Sequence, residues 1–235
     1  MKTKTLDHVF KITELLLDRG EPMSITELSR AANIQKNAVW RIVSDLCELG
    51  YLRKASYRAV EPGLGMVFLG QAVYSKSFFP KLVRTELDNA REELNVRCAL
   101  AGLFHGHVVY FYRNDSLDES WHWPLHGSNI ALCILTRREG GERASEILSD
   151  DVRRQNYAPD VGQAILIDLR NRITHVEAHG YALQRDDMGC NIAFPLCRNR
   201  EIYGLAFYFL PDHASELSNL VTRCSLLRNR LATGE

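Results

Sequence analysis

The sequence predicts an α+β protein with a small helical N-terminal domain that ends in a β-hairpin, followed by a larger domain of strands flanked by helices. Three amphipathic helical patterns occupy the first sixty residues, and apolar strand-like runs alternate with helical patterns further along the chain. The 235 residues are enough for one large domain or two small ones. Hydrophobic residues make up 46% and charged residues 25%, which is typical of a globular protein rather than a disordered or fibrous one.

No apolar run reaches the roughly 18 residues that a membrane span needs. The polar N-terminal segment 1–10 lacks the apolar core of a signal peptide. The six cysteines are scattered without a CxxC spacing, which favours reduced core residues over a disulfide framework. We therefore expect a cytoplasmic protein that has no membrane partner.

The formal net charge is zero, but the charge is unevenly distributed along the chain. Residues 1–60 carry ten Lys and Arg against seven Asp and Glu, and the remainder carries nineteen against twenty-two. A mildly basic N-terminal module on a mildly acidic body suits DNA binding by the first part only.

Two short helices are predicted at the start of the chain. Apolar side chains recur at helical spacing from Val9 to Leu16, and Gly20 ends that helix. Ser24 is a good N-cap for the second helix, and Glu27 stands three residues later in the capping-box position.

A tight turn at Asn33 leads into a third helix over residues 35–49, because Asn tolerates the left-handed conformation that such a turn needs. Two helices, a tight turn and a third helix form a helix-turn-helix. Amide and guanidinium groups can read adenine and guanine edges in the major groove, and a lysine suits phosphate. The start of the third helix exposes four side chains of these kinds: Gln35, Lys36, Asn37 and Arg41.

Tyr51-Leu52 and residues 58–60 are predicted to pair as a small hairpin around residues 53–57. This hairpin forms a basic wing for the DNA backbone, with four candidate contacts: Arg53, Lys54, Tyr57 and Arg58. The alternative is a plain bundle of three helices, with Lys36 and Arg41 on a solvated face. The wing and the local charge excess favour DNA binding.

Residues 63–94 are predicted to be mostly helical with a break at Pro80. This pattern predicts a DNA-binding domain over 1–62, a linker helix over 63–80 and a second domain over 81–235. The near-continuous apolarity of Cys98–Phe104 indicates a strand buried on both faces. The further predicted elements are a strand at 108–112, helices at 130–135 and 165–176, strands at 192–196 and 202–210, and a last helix from Asp212 to about 231.

Four groups of residues, in order along nearly the whole chain, resemble the isocitrate lyase regulator (IclR) family of bacterial transcription factors. Residues 24–58 are similar to its winged helix-turn-helix, and residues 62–70 are similar to the start of its linker helix. The Pro-Leu-His-Gly-Ser run at 124–128 is similar to its entry into a buried helix, and residues 180–196 are similar to its C-terminal signature. Asn129-Ile130 departs from the small, glycine-containing run that is more usual there.

The resemblance implies a GAF-like effector-binding domain for a small metabolite, a dimer or tetramer paired through the N-terminal region, and a palindromic double-stranded operator. Carried over by position, the effector pocket maps to five residues: Asn129, Ile130, Asn191, Ala206 and Tyr208. Relatives that bind small keto acids use hydroxyls where Ala206 and Tyr208 stand, which argues against the same ligand. The rings of Tyr112 and Trp123 are candidate aromatic walls of the pocket, or else core residues.

Other residues raise two further classes of function, a metal- or redox-sensing regulator and an enzyme. Scattered cysteines and histidines, including His175 and His179 four apart on a helix, are the basis for an alternative metal- or redox-sensing regulator. No acidic base motif precedes His175, and we expect no cofactor and no metal site. The sequence also has no phosphate loop, nucleophile elbow or paired-carboxylate motif. We therefore expect no catalytic residues and no enzyme.

Overall fold

The structure is a computed structural model that describes residues 4–76, 81–94, 96–114, 124–186, 189–198, 200–209 and 217–233. The chain divides into two compact units, Met1–Phe78 and Phe79–Glu235. Helices and sheets occur in both units, which confirms the predicted α+β class. The predicted break at Pro80 lies outside the described residues.

The N-terminal unit has helices packed around one core and a small sheet. Its elements are α1 (Lys4–Arg19), β1 (Met23–Ser24), α2 (Ile25–Ala32), α3 (Lys36–Glu48), β2 (Leu52–Lys54), β3 (Ala59–Pro62) and α4 (Leu64–Lys76). Side chains from α1, α2 and α3 meet in this core, among them the fully buried Ile12, Leu28 and Val39. The three predicted helices are therefore confirmed.

The turn between α2 and α3 has the geometry that the sequence predicts. Ser24 Oγ accepts a hydrogen bond from the Glu27 amide at 3.2 Å, and Glu27 Oε2 accepts one from the Ser24 amide at 2.8 Å. Asn33 adopts the left-handed conformation with φ 54° and ψ 48°. These local interactions fix where α2 begins and ends, and therefore where α3 starts.

The hairpin after α3 forms, but its register differs from the prediction. Leu52 lies opposite Pro62 and Lys54 opposite Val60, so the loop spans residues 55–58. Ser56 sets this shorter loop, because its Oγ accepts hydrogen bonds from the amides of residues 58 and 59 at 3.3 and 3.2 Å. The short β1 strand pairs with β3 on the other side, which the sequence analysis did not anticipate.

The C-terminal unit is one antiparallel sheet covered on both faces. Its elements are α5 (Lys81–Leu94), β4 (Arg97–Phe104), β5 (His107–Arg113), a 3₁₀ turn (Leu125–Gly127), α6 (Asn129–Glu139), α7 (Gly141–Arg154), α8 (Pro159–His179), β6 (Ala182–Asp186), β7 (Gly189–Arg198), β8 (Glu201–Phe209) and α9 (Leu217–Thr233). The strand order is β5-β4-β8-β7-β6. Helices α5 and α9 pack on one face, and α6, α7 and α8 pack on the other.

Helix α6 lies very close to the sheet. The strand residues beneath it are small: Ala99, Ala101, Ala193, Gly204 and Ala206. A Cβ atom at Gly204 would stand 2.6 Å from Cγ2 of Ile130, so a larger residue there would push the helix away. All residues of α6 from 129 to 136 are buried as a result.

In the C-terminal unit the sequence analysis missed α7 and β6, and it predicted both α6 and α8 to be shorter than they are. Helix α7 was missed because its buried residues form a narrow row four apart, at Ala144, Leu148 and Val152, among charged neighbours. Strand β6 is a largely polar edge strand that pairs only with β7. Helix α8 begins six residues earlier than expected, at Pro159, where proline favours helix initiation. The predicted cap at Asp212 lies outside the described residues.

Candidate nucleic-acid interface and ligand site

One face of α3 is polar, cationic and exposed. Lys36, Asn37 and Arg41 are exposed along it, while Val39 and Ile42 on the opposite face are buried. Gln35 is exposed as well. It is the N-cap residue, so it lies just before the helix rather than on it.

Trp40 lies on the same exposed face and was missed by the sequence analysis. Its side chain is 63% exposed, four residues after Lys36 and next to Arg41. A helix places residues four apart on one face, so this spacing was a usable signal. A large ring left in solvent beside two cations is a feature of a contact surface rather than of a core.

The N-terminus of α3 is open to an anion. The first turn holds no acidic residue, and Gln35 makes no side-chain capping bond. Helix α2 differs, since its N-terminus is closed by Ser24 and Glu27. Uncapped amides and the helix dipole together favour a phosphate group.

The wing presents fewer free cations than the sequence suggests. Arg53 and Lys54 lie on β2 rather than in the loop, and Arg53 Nη2 stands 2.7 Å from Glu61 Oε1 on the paired strand. Tyr57 at the tip of the loop is 96% exposed, and Arg58 beside it is exposed as well. All four candidate wing residues are exposed, but the charge of Arg53 is compensated by Glu61 within the wing.

Five of the residues expected to bind an effector lie on the same side of the sheet. Asn129 and Ile130 begin α6 and are each 2% exposed. Asn191 on β7 lies directly opposite Tyr208 on β8, and Ala206 on the same strand is fully buried. The structure therefore brings these five residues to the region beneath the start of α6.

Tyr112 does not belong with them, which corrects its assignment as a pocket wall. A bulge shifts the pairing of β4 and β5, and Tyr112 lies in the core on the α5 and α9 side of the sheet. Its hydroxyl donates a hydrogen bond to Asp88. Burial, and then this hydrogen bond, raise the pKa of Tyr112. The other proposed wall, Trp123, lies outside the described residues.

Arg172, a largely buried arginine that the sequence analysis missed, connects this region. Arg172 on α8 donates from Nη2 to Asn129 Oδ1 at 2.6 Å and from Nη1 to the His126 carbonyl at 3.2 Å. Asn129 in turn donates to the Asn191 carbonyl at 3.4 Å. Arg172 lies in the apolar stripe of α8, between Leu169 and residues 173 and 176. A cation in an apolar stripe indicates a charged group turned toward the core, and this pattern could have identified Arg172 from the sequence.

His126 is held in the turn that precedes α6. Its Nδ1 lies 2.7 Å from Asp151 Oδ2, and the same oxygen accepts from the His126 amide at 3.1 Å. Tyr157 closes the other side, with its hydroxyl 3.3 Å from Nε2 of His126. These contacts fix the turn and, with it, the position of Asn129.

Two buried polar atoms in this region have no hydrogen-bond partner among the described residues: Arg172 Nε, a donor, and Asn191 Oδ1, an acceptor. An unpaired buried polar atom costs about 1–3 kcal/mol. A ligand that offered both an anionic acceptor and a hydroxyl donor would satisfy both atoms.

The cysteines and histidines do not form a metal centre in the part of the chain that the structure describes, and the six cysteines are free thiols. That part holds no group of three or more His, Cys, Asp and Glu placed to bind a metal. Burial raises the pKa of Cys133 and of Cys224 to about 12, so both stay as unreactive thiols. His179 Nδ1 is 3.0 Å from the His175 carbonyl, an ordinary bond within a helix.

Residues 5–56 match the model of the IclR helix-turn-helix domain. They form an IclR helix-turn-helix domain. The resemblance seen in the sequence is thereby confirmed. No curated protein is a significant match to the chain.

Solved IclR-family structures share the fold over the whole chain. An IclR family regulator from Brucella abortus matches with a TM-score of 0.79 at 17% identity, covering 100% of this chain and 93% of that one. A regulator from Alicyclobacillus acidocaldarius matches with a TM-score of 0.67 at 13% identity, covering 99% of each chain. An IclR homologue from Microbacterium hydrocarbonoxydans, complexed with 4-hydroxybenzoate, gives 0.62 at 16% identity and covers 98% of this chain and 100% of that one.

The IclR domain accounts for the exposed face of α3, because the second helix of a helix-turn-helix is the one that enters the major groove. The helices that the structure describes include none long and apolar enough to cross a membrane.

Replacing Arg172 should destabilise the C-terminal unit. Arg172→Met leaves Asn129 Oδ1 and the His126 carbonyl without their donor, and we expect a loss of about 2–3 kcal/mol in the free energy of unfolding. The exposed Arg170 on the same helix is the matched control, and Arg170→Met should cost less than about 0.5 kcal/mol. Urea unfolding of both variants measures the difference, and equal stabilities would contradict the network.

Proposed function

We propose that this chain is a ligand-responsive transcriptional regulator that binds a palindromic operator as a homodimer or homotetramer. Residues 1–62 serve as the DNA-binding domain, 63–80 as the linker helix and 81–235 as the effector-binding domain. A small metabolite bound in the last of these changes operator affinity. The observation that carries the proposal is the exposed face of α3 within an IclR helix-turn-helix domain. On this proposal the chain acts as a regulator and not as an enzyme. As a regulator of bacterial genes, it acts in the cytoplasm.

The chemistry of α3 supports reading of DNA bases. A guanidinium such as Arg41 pairs with the O6 and N7 acceptors of guanine, and an amide such as Asn37 pairs with adenine. Lys36 and the uncapped start of the helix suit phosphate groups on either side of the groove. Gln35, just before the helix, and the ring of Trp40 add contacts at the same surface.

The wing supports contact with the DNA backbone. Lys54 and Arg58 are exposed and have no ion pair among the described residues, and Tyr57 extends from the tip of the loop. Arg53 contributes less, because Glu61 already neutralises its charge. Phosphate contacts of this kind set affinity and orientation rather than sequence preference.

Exposed apolar surface on the N-terminal unit supports pairing with a second copy. Helix α4 leaves Leu64, Val67 and Phe68 more than half exposed, and α1 does the same with Leu6 and Phe10. Apolar side chains grouped on a helix are typical of an association surface. A twofold dimer presents two recognition helices to half-sites about one helical turn of DNA apart, which matches a palindromic operator.

The C-terminal unit supports effector binding through the polar atoms beneath α6. Arg172 Nε offers a buried donor and Asn191 Oδ1 a buried acceptor. Small carboxylates that also carry a hydroxyl match this pair. The Microbacterium hydrocarbonoxydans homologue was solved with one such compound, 4-hydroxybenzoate, which is therefore the first compound to test.

Arg41→Ala should weaken binding to the specific operator by about 1–3 kcal/mol, or roughly 5- to 150-fold, because a bidentate base contact is lost. Fluorescence anisotropy on the DNA upstream of the chain's own gene, at two salt concentrations and against unrelated DNA, measures the loss. Arg153→Ala, an exposed arginine on α7, is the control and should leave affinity unchanged. If the chain selects no sequence in a genome-wide DNA selection, the proposal fails.

Phe68→Asp should convert the assembly to monomers and weaken operator binding, because a carboxylate would be buried in the apolar contact between copies. Light scattering measures the oligomeric state. Gln71→Asp, an exposed polar position on the same helix, is the matched control and should leave the assembly intact. An unchanged oligomer in both variants would place the contact elsewhere.

Asn191→Leu should abolish the effector response and leave ligand-free operator binding intact, because Oδ1 of Asn191 no longer receives the ligand's donor. Operator affinity is measured with a series of small carboxylates that begins with 4-hydroxybenzoate, and the expected response of the natural chain is about 5- to 150-fold. Asn171→Leu, an exposed position on α8, should respond normally. A normal response in Asn191→Leu would refute this pocket assignment.

A further inference from the structure

A cavity lies in the C-terminal unit, where α8 ends. Its volume is about 450 Å³, within the range of small-molecule pockets. The rings of Tyr181 and Phe194 form an aromatic wall, with their centroids 5.5 Å apart. Residues of α6, α8 and α9 complete the cavity, including Arg137, His179 and Arg228.

The cavity is cationic. Arg137 and Arg228 line it, and the described lining residues include no Asp or Glu. Arg228 lies over the Phe194 ring at 5.8 Å and donates to Ser225 Oγ at 3.4 Å, but its buried Nε has no partner in the described part of the chain. A guanidinium that is partly buried without a carboxylate is costly, and a bound anion would compensate its charge.

This cavity is separate from the region beneath α6. None of the residues expected to bind the effector lines it. On β7 the nearest residue that lines the cavity is Phe194, three residues or about 10 Å along the strand from Asn191, and the two side chains point to opposite faces of the sheet. One small ligand does not reach both places.

We propose that this cavity is a second ligand-binding site, for a small carboxylate with a flat apolar body. The two guanidinium groups hold the carboxylate, because a planar guanidinium matches a carboxylate in two parallel hydrogen bonds. The rings of Tyr181 and Phe194 hold the flat body of the ligand.

The test uses benzoate as the probe and the full chain as the protein. Isothermal titration calorimetry should show saturable, salt-sensitive binding of benzoate and none of benzamide, which has the same shape without the charge. Cys197, the exposed cysteine among the six, lines the cavity. Saturating benzoate should therefore slow its alkylation by iodoacetamide severalfold, while the alkylation rate of Cys47 in the N-terminal unit stays unchanged.

Arg228→Met and Arg137→Met should each weaken benzoate binding about tenfold or more, because a charge-assisted hydrogen bond is lost. Arg223→Met is the matched control on α9, since Arg223 lines a different groove beside α5, and it should bind benzoate normally. Arg137 is exposed, so its replacement leaves folding intact. Absence of saturable binding, or binding that neither protects Cys197 nor changes in these two variants, would overturn the proposal.

Discussion

The close approach of α6 to the sheet is the constraint on which the C-terminal unit depends. Ile130 packs directly on Gly204, and alanines line the strands on either side. Interiors are close-packed, so a larger side chain at Gly204 would displace the helix rather than be absorbed. Because α6 begins at Asn129, the same packing also sets which polar groups meet at the start of that helix.

The largely buried guanidinium of Arg172 is held there by three partners rather than by one strong ion pair. Asp168 lies 3.5 Å from Arg172, but its side chain is largely exposed, so solvent screens the attraction. The Asn129 and His126 oxygens supply the remaining acceptors. His126 is in turn fixed by Asp151, so the network joins the turn before α6 to both α7 and α8. Packing positions this group, and hydrogen bonds make its burial tolerable.

The sequence predicts local structure better than it predicts contacts between distant segments. Ser24 and Asn33 act on neighbouring backbone, so the helix-turn-helix could be derived from their positions. The wing register depends on one hydroxyl, Ser56 Oγ, which no propensity indicates. Arg172 was missed and Tyr112 was assigned to the wrong side of the sheet for a related reason, since a helix stripe and a strand bulge decide where each side chain packs.

The unpaired atoms beneath α6 bear on how a ligand could act at a distance. A ligand shifts an equilibrium only by the difference between its affinities for the two states. Satisfying a buried donor and a buried acceptor is worth about 1–3 kcal/mol for each atom. The ligand obtains that gain only in a conformation that keeps Arg172 Nε and Asn191 Oδ1 on either side of Asn129, as they are in this structure. A conformation with α8 shifted relative to β7 would separate the two atoms, and the ligand would lose this stabilisation. For the two atoms together the difference is about 2–6 kcal/mol, which covers a typical coupling between two sites of about 1–3 kcal/mol, so a ligand of the proposed kind would gain enough from this network to favour one arrangement of α8 and β7.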